Sequence, residues 1–209
     1  PRSTHCISSA ASDVYKRQDT GWTNLINFID VLNNDPVNIE SVLNVDRVLW
    51  FFAVSTVILN EDTYNTMYLH NYYLYQLGDG RFQIIPWDLS ESFCGALLGG
   101  LNSYDDHYHR DPNYGLIPYV VSRPLVYQLL SNPEDKKVYY AHIKTIIQEN
   151  TDLNEVRSWV DNLQNLVTPA VTTDPNKLFS NILFQYNVDS VIIATPTLHI
   201  GAIMETLRQ

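Results

Sequence analysis

Between Asn60 and Gly95 the chain concentrates residues able to do chemistry: Asn60-Glu61-Asp62, then His70-Asn71-Tyr72-Tyr73-Leu74-Tyr75, then Ile85-Pro86-Trp87-Asp88-Leu89. Asp62 stands on a short polar stretch, Asn71 heads one strand-like segment, and Asp88 falls just past the end of the next. Gly78-Asp79-Gly80 lies between those segments and supplies the positive φ angles of a tight hairpin turn. A hairpin brings the start of its first strand beside the end of its second. Asn71 and Asp88 are therefore expected as neighbours, with Asp62 close by. A carboxylate that orients a hydroxyl and accepts its proton, beside an Asn and an Asp that hold Mg²⁺ against phosphates, is what phosphoryl transfer requires. Eukaryotic protein kinases set such a trio in the same order; here the Asp-to-Asn interval, nine residues, is wider.

The flanking elements are read from periodicity. Leu25, Phe28, Ile29 and Leu32 recur at helical spacing, and Asn33-Asn34-Asp35-Pro36 closes that helix. From Val45 to Leu59 apolar residues occupy the whole helical circumference, which predicts a core helix buried on all sides. The hairpin is expected as Asn71 to Tyr75 and Arg81 to Ile85, with Pro86 ending the second strand. Residues 94 to 118 read as a long polar loop. Beyond it lie four helical patterns: Arg123 to Leu130, Pro133 to Gln148, Leu153 to Val167 and Ile200 to Leu207. Asn132 before Pro133, and Asp152 followed by Glu155, are good helix starts. Helices, one hairpin, a long loop and more helices predict an α+β domain.

Composition narrows the function. The chain has 209 residues, 45% hydrophobic, enough for an ordinary core. Thirteen basic against 23 acidic residues give a net charge of -10, which argues against nucleic acid or an anionic membrane as a partner held by bulk charge. Cys6 and Cys94 are too few for a disulfide framework. The longest apolar run, Val48 to Leu59, is shorter than the roughly 20 residues of a bilayer span. Residues 1–18 show no period, and Ser9-Ala10-Ala11-Ser12-Asp13-Val14-Tyr15-Lys16-Arg17-Gln18 resembles a translated adapter sequence. They are set aside from the fold as a non-native segment, the alternative being a native flexible terminus.

The string from Asn60 to Phe93, with His70-Asn71-Tyr72-Tyr73-Leu74-Tyr75 and Ile85-Pro86-Trp87-Asp88-Leu89-Ser90-Glu91-Ser92-Phe93, resembles the spore coat protein H (CotH) family of atypical kinases. The likeness continues through Leu25 to Asn34, Val45 to Ile58, Ser122-Arg123-Pro124-Leu125 and Asp174-Pro175-Asn176-Lys177. It implies a kinase-like fold, ATP with Mg²⁺ or Mn²⁺, and transfer of the γ-phosphate to Ser or Thr of secreted, cell-surface or spore coat proteins, the protein substrate being Ser-rich and basic. It matches Asp62 to the catalytic Asp and Asp88 to the metal-binding Asp; Asn71 as second metal ligand rests mainly on the hairpin. Ser90, where Asp or Asn is expected, and Cys94, between Phe93 and Gly95, depart from the pattern. Kinases cover the phosphates with a glycine-rich loop and an ion-paired Lys. Between Asp19 and Glu61 there is one Gly, one basic residue and no Lys. Residues 19–209 are thus expected to be a kinase-like C-lobe without its N-lobe, inactive alone.

Two readings from other classes compete with this one. A surface adhesion or coat protein would keep the fold without catalysis, and a helical binding module would recruit a basic partner through its acidic surface. His70 is read as structural, since a carboxylate already fills the base role. Tyr72, Tyr73 and Tyr75 are read as ordinary strand residues. His109-Arg110-Asp111 spells the catalytic triplet of eukaryotic kinases, but it is not followed by a metal Asn or a hairpin Asp. Asp105, Asp106, His107, His109 and Asp111 read as a solvated, substrate-facing loop rather than a metal cluster. Cys94 is read as an inert thiol.

Overall fold

The computed structural model describes residues 18–66, 68–95, 97–98, 109, 111–113, 123–195 and 198–208. The adapter-like stretch up to residue 17 lies outside them, as do Asp105, Asp106, His107, Arg110 and Ser122. Helix α1 (Gln18–Asn34) sends Phe28 and Leu32 into the core and leaves Trp22, Ile26 and Ile29 on its outer face. It ends at Asp35-Pro36, and a 3-10 turn over Pro36–Ser41 leads back to the core. Helix α2 (Val45–Val57) is capped by Asn44, whose side-chain oxygen accepts from the Arg47 N–H at 3.2 Å. Val48, Leu49, Phe52 and Ala53 are sealed, but Val54 is 38% exposed, so one face of this helix meets solvent and its burial is not all-round.

Strands β1 (Tyr72–Gln76) and β2 (Phe82–Pro86) pair antiparallel, with Tyr72 opposite Pro86 and Gln76 opposite Phe82. The hairpin is the expected one, displaced by a residue, because Asn71 takes φ 54° and cannot extend the strand. Its turn is longer than a two-residue loop. The Leu77 N–H donates to Arg81 C=O at 2.8 Å, the Gly80 N–H donates to Leu77 C=O at 3.0 Å, and Gly80 alone of the turn glycines has positive φ, 90°. The segment entering α2 docks on the hairpin edge: the Phe82 N–H donates to Val42 C=O and the Asn44 N–H to Phe82 C=O, both at 2.7 Å.

Helices α3 (Pro124–Ser131) and α4 (Pro133–Asn150) close the core from the other side. Leu43, Val48, Leu49, Phe52, Ile84 and Val126 are almost wholly removed from water. At about 25 cal/mol per Å² such burial is the main force holding α2 between hairpin and helices. Polar contacts set the α2–α4 register. Trp50 stacks on His142 with ring centroids 3.9 Å apart, His142 Nε2 meets Asp46 Oδ1 at 2.8 Å, and the Thr56 and Tyr139 hydroxyls lie 2.9 Å apart.

Helix α5 (Leu153–Thr173) starts at the expected cap, with Asp152 Oδ1 accepting from the Asn154 and Glu155 N–H groups at 3.0 and 2.9 Å. It continues past Val167 because Pro169 removes one donor near the end without stopping it. Replacing Asp152 by Ala is expected to cost about 1 kcal/mol, read in thermal unfolding as a fall of about 2–4 °C in Tm.

The C-terminal part departs from the sequence reading. After the short α6 (Asn181–Tyr186), β4 (Ile192–Thr195) and β5 (Leu198–Ile200) form a sheet with β3 (Leu97–Leu98), in the order β3-β5-β4 and antiparallel throughout. Only Ile203–Thr206 is helical, as α7. The single helix expected over Ile200 to Leu207 is therefore corrected to strand, Gly201, then one helical turn. Leu97–Leu98 likewise interrupts the expected loop of residues 94 to 118. The architecture is α+β, mostly helical, with two small antiparallel sheets among the described residues. Among the described residues no helix is long and apolar enough to cross a membrane.

Candidate active site

Helix α2 delivers the chain into the Asp62 loop through a left-handed turn at Leu59, φ 47°. Asn60 is buried and shapes this loop, its side-chain oxygen accepting from the Asp62 N–H at 3.1 Å. The resulting Asx-type turn points the Asp62 carboxylate at the head of the hairpin. There Asn71 Nδ2 donates to Asp62 Oδ2 at 2.9 Å. His70 Nδ1 lies 3.0 Å from Asp62 Oδ1, a contact too poorly aligned to be a hydrogen bond, and Oδ1 is sealed from solvent. Asn71 is held from the opposite side, its C=O accepting from the Trp87 N–H at 3.0 Å. Asp88 is the next residue, at φ 45°. The fold thus brings Asp62 and Asn71 into contact and sets Asp88 one residue beyond the bond that closes the hairpin.

Negative charge accumulates here. Burial, then the charges of Asp62 and Asp88, hold the Glu91 carboxyl above its ordinary range. The Tyr68 phenol is raised by burial and then by Glu61, Asp62 and Glu91. Glu91 Oε2 is sealed from solvent without a hydrogen-bond partner. A carboxyl with a raised folded-state pKa binds its proton more tightly folded than unfolded. Stability therefore falls as pH climbs from the ordinary carboxylate range through the raised value. Glu91→Gln is expected to raise Tm relative to wild type more at pH 7 than at pH 4. Equal differences at the two pH values would count against this charge crowding.

Among the described residues, six non-glycine positions have left-handed φ: Leu59, Leu69, Asn71, Asp88, Phe93 and Cys94. All flank the Asp62–Asp88 site, the kind of clustering that marks functional loops. After Asp88, whose Oδ1 accepts from the Ser90 N–H at 3.3 Å, the chain returns to the end of α2. The Phe93 N–H donates to Ile58 C=O at 2.6 Å and the Cys94 N–H to Leu59 C=O at 3.4 Å. The loops of Asp62 and Asp88 are thus tied back to back, with Cys94 buried between them.

A family model described as CotH kinase protein matches residues 6–190. The chain belongs to the CotH kinase family. No curated protein and no solved structure matches it. Membership gives this CotH-family chain a kinase-like function, and with it nucleotide and metal use in general. The residues present fit a hard cation in their donor chemistry. Asn71 donates through Nδ2 to Asp62, which leaves its amide oxygen as the acceptor; Asp88 offers a carboxylate; and the crowded charge at Glu91 favours a counter-ion. Among the described residues no three His, Cys, Asp or Glu side chains are arranged to hold a metal. The fitting pair is an amide and a carboxylate.

Other residues are placed differently from the trio. Asp111 accepts from the Asn113 N–H and Nδ2, both at 2.8 Å, and Asn113 Nδ2 also donates to Tyr140 of α4. That gives Asp111 a local structural role. Sequence reasoning does not single out the contacts of Asn60 and Glu91, and it names no partner for His70. The spacing of Asn60 two residues before Asp62 carries the Asx-turn signal. Nothing local marks the neighbours of Glu91.

Proposed function

We propose that this chain is the C-lobe of an atypical protein Ser/Thr kinase that transfers the γ-phosphate of ATP to hydroxyls of secreted, surface or spore coat proteins. One observation carries the reading: Asn71 Nδ2 donates to Asp62 Oδ2 at 2.9 Å while the Asn71 C=O closes the hairpin at Trp87, beside Asp88. In this reading Asp62 orients the acceptor hydroxyl and takes its proton as the new O–P bond forms and the bond to ADP breaks. Asn71 Oδ1 and the Asp88 carboxylate would hold Mg²⁺ or Mn²⁺, which neutralises phosphate charge. Asn60 sets the angle of Asp62, and the Ser90 N–H donating to Asp88 Oδ1 orients the Asp88 carboxylate.

The cover over the phosphates is assigned to sequence upstream of Asp19, because Asp19 to Glu61 offers one Gly and one basic residue. The isolated chain is expected to bind nucleotide weakly. The test is calorimetric titration of ATP, with and without Mg²⁺ or Mn²⁺, into the protein carrying its native upstream sequence. Binding should require the metal and weaken at least about tenfold on Asp88→Ala. Binding indifferent to metal and to Asp88 would contradict the assignment. No binding by the well-folded protein would favour a non-catalytic adhesion or coat role.

A further inference from the structure

We infer that Arg123 is a positioning residue for Asp62, holding the Asp62 loop from behind. Its side chain is wholly buried at the entry to α3. Nε donates to Tyr64 C=O at 3.0 Å and Nη2 donates to Thr66 C=O. Both carbonyls belong to the turn that starts at Asp62. A planar guanidinium meets two carbonyls in fixed directions at once, whereas an ammonium acts as a point charge and cannot reproduce that fork.

The same loop is gripped by Tyr64. Its ring stacks on Phe52 of α2 at 6.3 Å between centroids and meets the edge of Tyr72 of β1 at 5.2 Å. Its hydroxyl accepts from the Leu125 N–H at 3.4 Å. The start of α3 therefore holds the main chain and the ring of one residue, two positions beyond Asp62. Inside the loop, the Thr63 N–H donates to Thr66 Oγ1, the Thr66 N–H to Thr63 C=O and the Tyr68 N–H to Glu61 C=O, each at 3.2 Å, and Asn65 Nδ2 donates to Phe52 C=O of α2 at 3.4 Å. Those bonds close the loop on itself and on α2, and Arg123 adds the tie to α3. The hairpin fixes Asn71 and Asp88, and Arg123 fixes Asp62 against them. Arg123 touches no reacting atom in this arrangement. Its catalytic meaning rests on the role proposed above for Asp62, but the clamp itself does not.

The experiment uses Arg123→Lys and Arg123→Met in the 209-residue chain, followed by amide hydrogen exchange and the side-chain NH₂ resonances of Asn71, with Asp62→Ala as reference. The amides of Asp62, Thr63, Thr66 and Tyr68 should exchange at least about tenfold faster, while those of α4 stay within about threefold of wild type. The Asn71 NH₂ resonances should move toward those of Asp62→Ala. Unchanged loop exchange, or equal acceleration in loop and α4, would overturn the clamp. In the protein with its upstream sequence, Arg123→Lys should lower kcat at least about tenfold with KM for ATP within about threefold. An unchanged kcat would overturn the positioning role even with a loosened loop. If wild type transfers no phosphate, the kinase reading fails while exchange and the Asn71 resonances still decide the clamp.

Discussion

Asp62→Asn should reduce phosphoryl transfer by about 10²–10⁴-fold in kcat, the usual contribution of a positioned general base. Affinity for Mg-ATP should stay near wild type. The substitution is nearly isosteric. An Asn at this position can still accept from Asn71 Nδ2, so the contact of 2.9 Å and the fold have reason to survive. What disappears is the carboxylate charge on which the proposed base role depends and whose Oδ1 faces His70. Because His70 Nδ1 lies 3.0 Å from Asp62 Oδ1, its environment should change in the same variant, which makes its ring resonances an internal check that the substitution reached the site. Steady-state kinetics with a separate nucleotide-binding measurement distinguishes this from general damage. A loss confined to KM would mean that Asp62 binds rather than reacts.

Gly201→Ala is expected to destabilise the chain strongly. A Cβ there would stand 2.2 Å from Phe93 O, 2.7 Å from Cys94 Cβ and 2.9 Å from Cys94 O. Most of these are main-chain atoms in a loop bonded to α2, so they cannot step aside cheaply. Overpacking of this kind costs about 1–3 kcal/mol or more, and for a chain of this size each kcal/mol lowers Tm by about 2–4 °C. Gly201 also donates its N–H to Cys94 C=O at 2.7 Å, and Thr206 Oγ1 donates to Phe93 C=O at 3.2 Å. Forcing the segment away would loosen the turn after Asp88. Gly78→Ala is the control: no atom lies within 4 Å of its Cβ and its φ is not left-handed, so Tm should barely move. Equal Tm values for the two variants would show that the C-terminal segment does not bear on the site.

The hairpin was legible because its signals are local: strand-favouring Tyr and Ile runs, Asp-Gly in the turn and Pro86 at the end. That sufficed to set the Asn71 main chain against Trp87, one residue before Asp88. The caps at Asn132 and Asp152 were legible for the same reason, each being a side chain bonding to backbone two or three residues on. The sheet of β3, β5 and β4 was not. Leu97 pairs with His199, far away along the chain, and such short strands leave no room for a period to show. Ile200 followed by Ile203 and Leu207 looks helical until Gly201 is seen pressed against Cys94. In the proposed site, the candidate residues follow from local spacing, whereas the burial of Arg123 and the crowding at Glu91 depend on which loops fold over them.

The most direct measurement is transfer of labelled γ-phosphate from Mg-ATP to a Ser-rich basic protein by the protein with its upstream sequence, with Asp62→Asn and Asp88→Ala assayed beside it. Transfer that both substitutions abolish, with each variant folded, is the expected result. Transfer that survives either substitution at wild-type rate would contradict the assignment of Asp62, Asn71 and Asp88 as the phosphoryl-transfer centre.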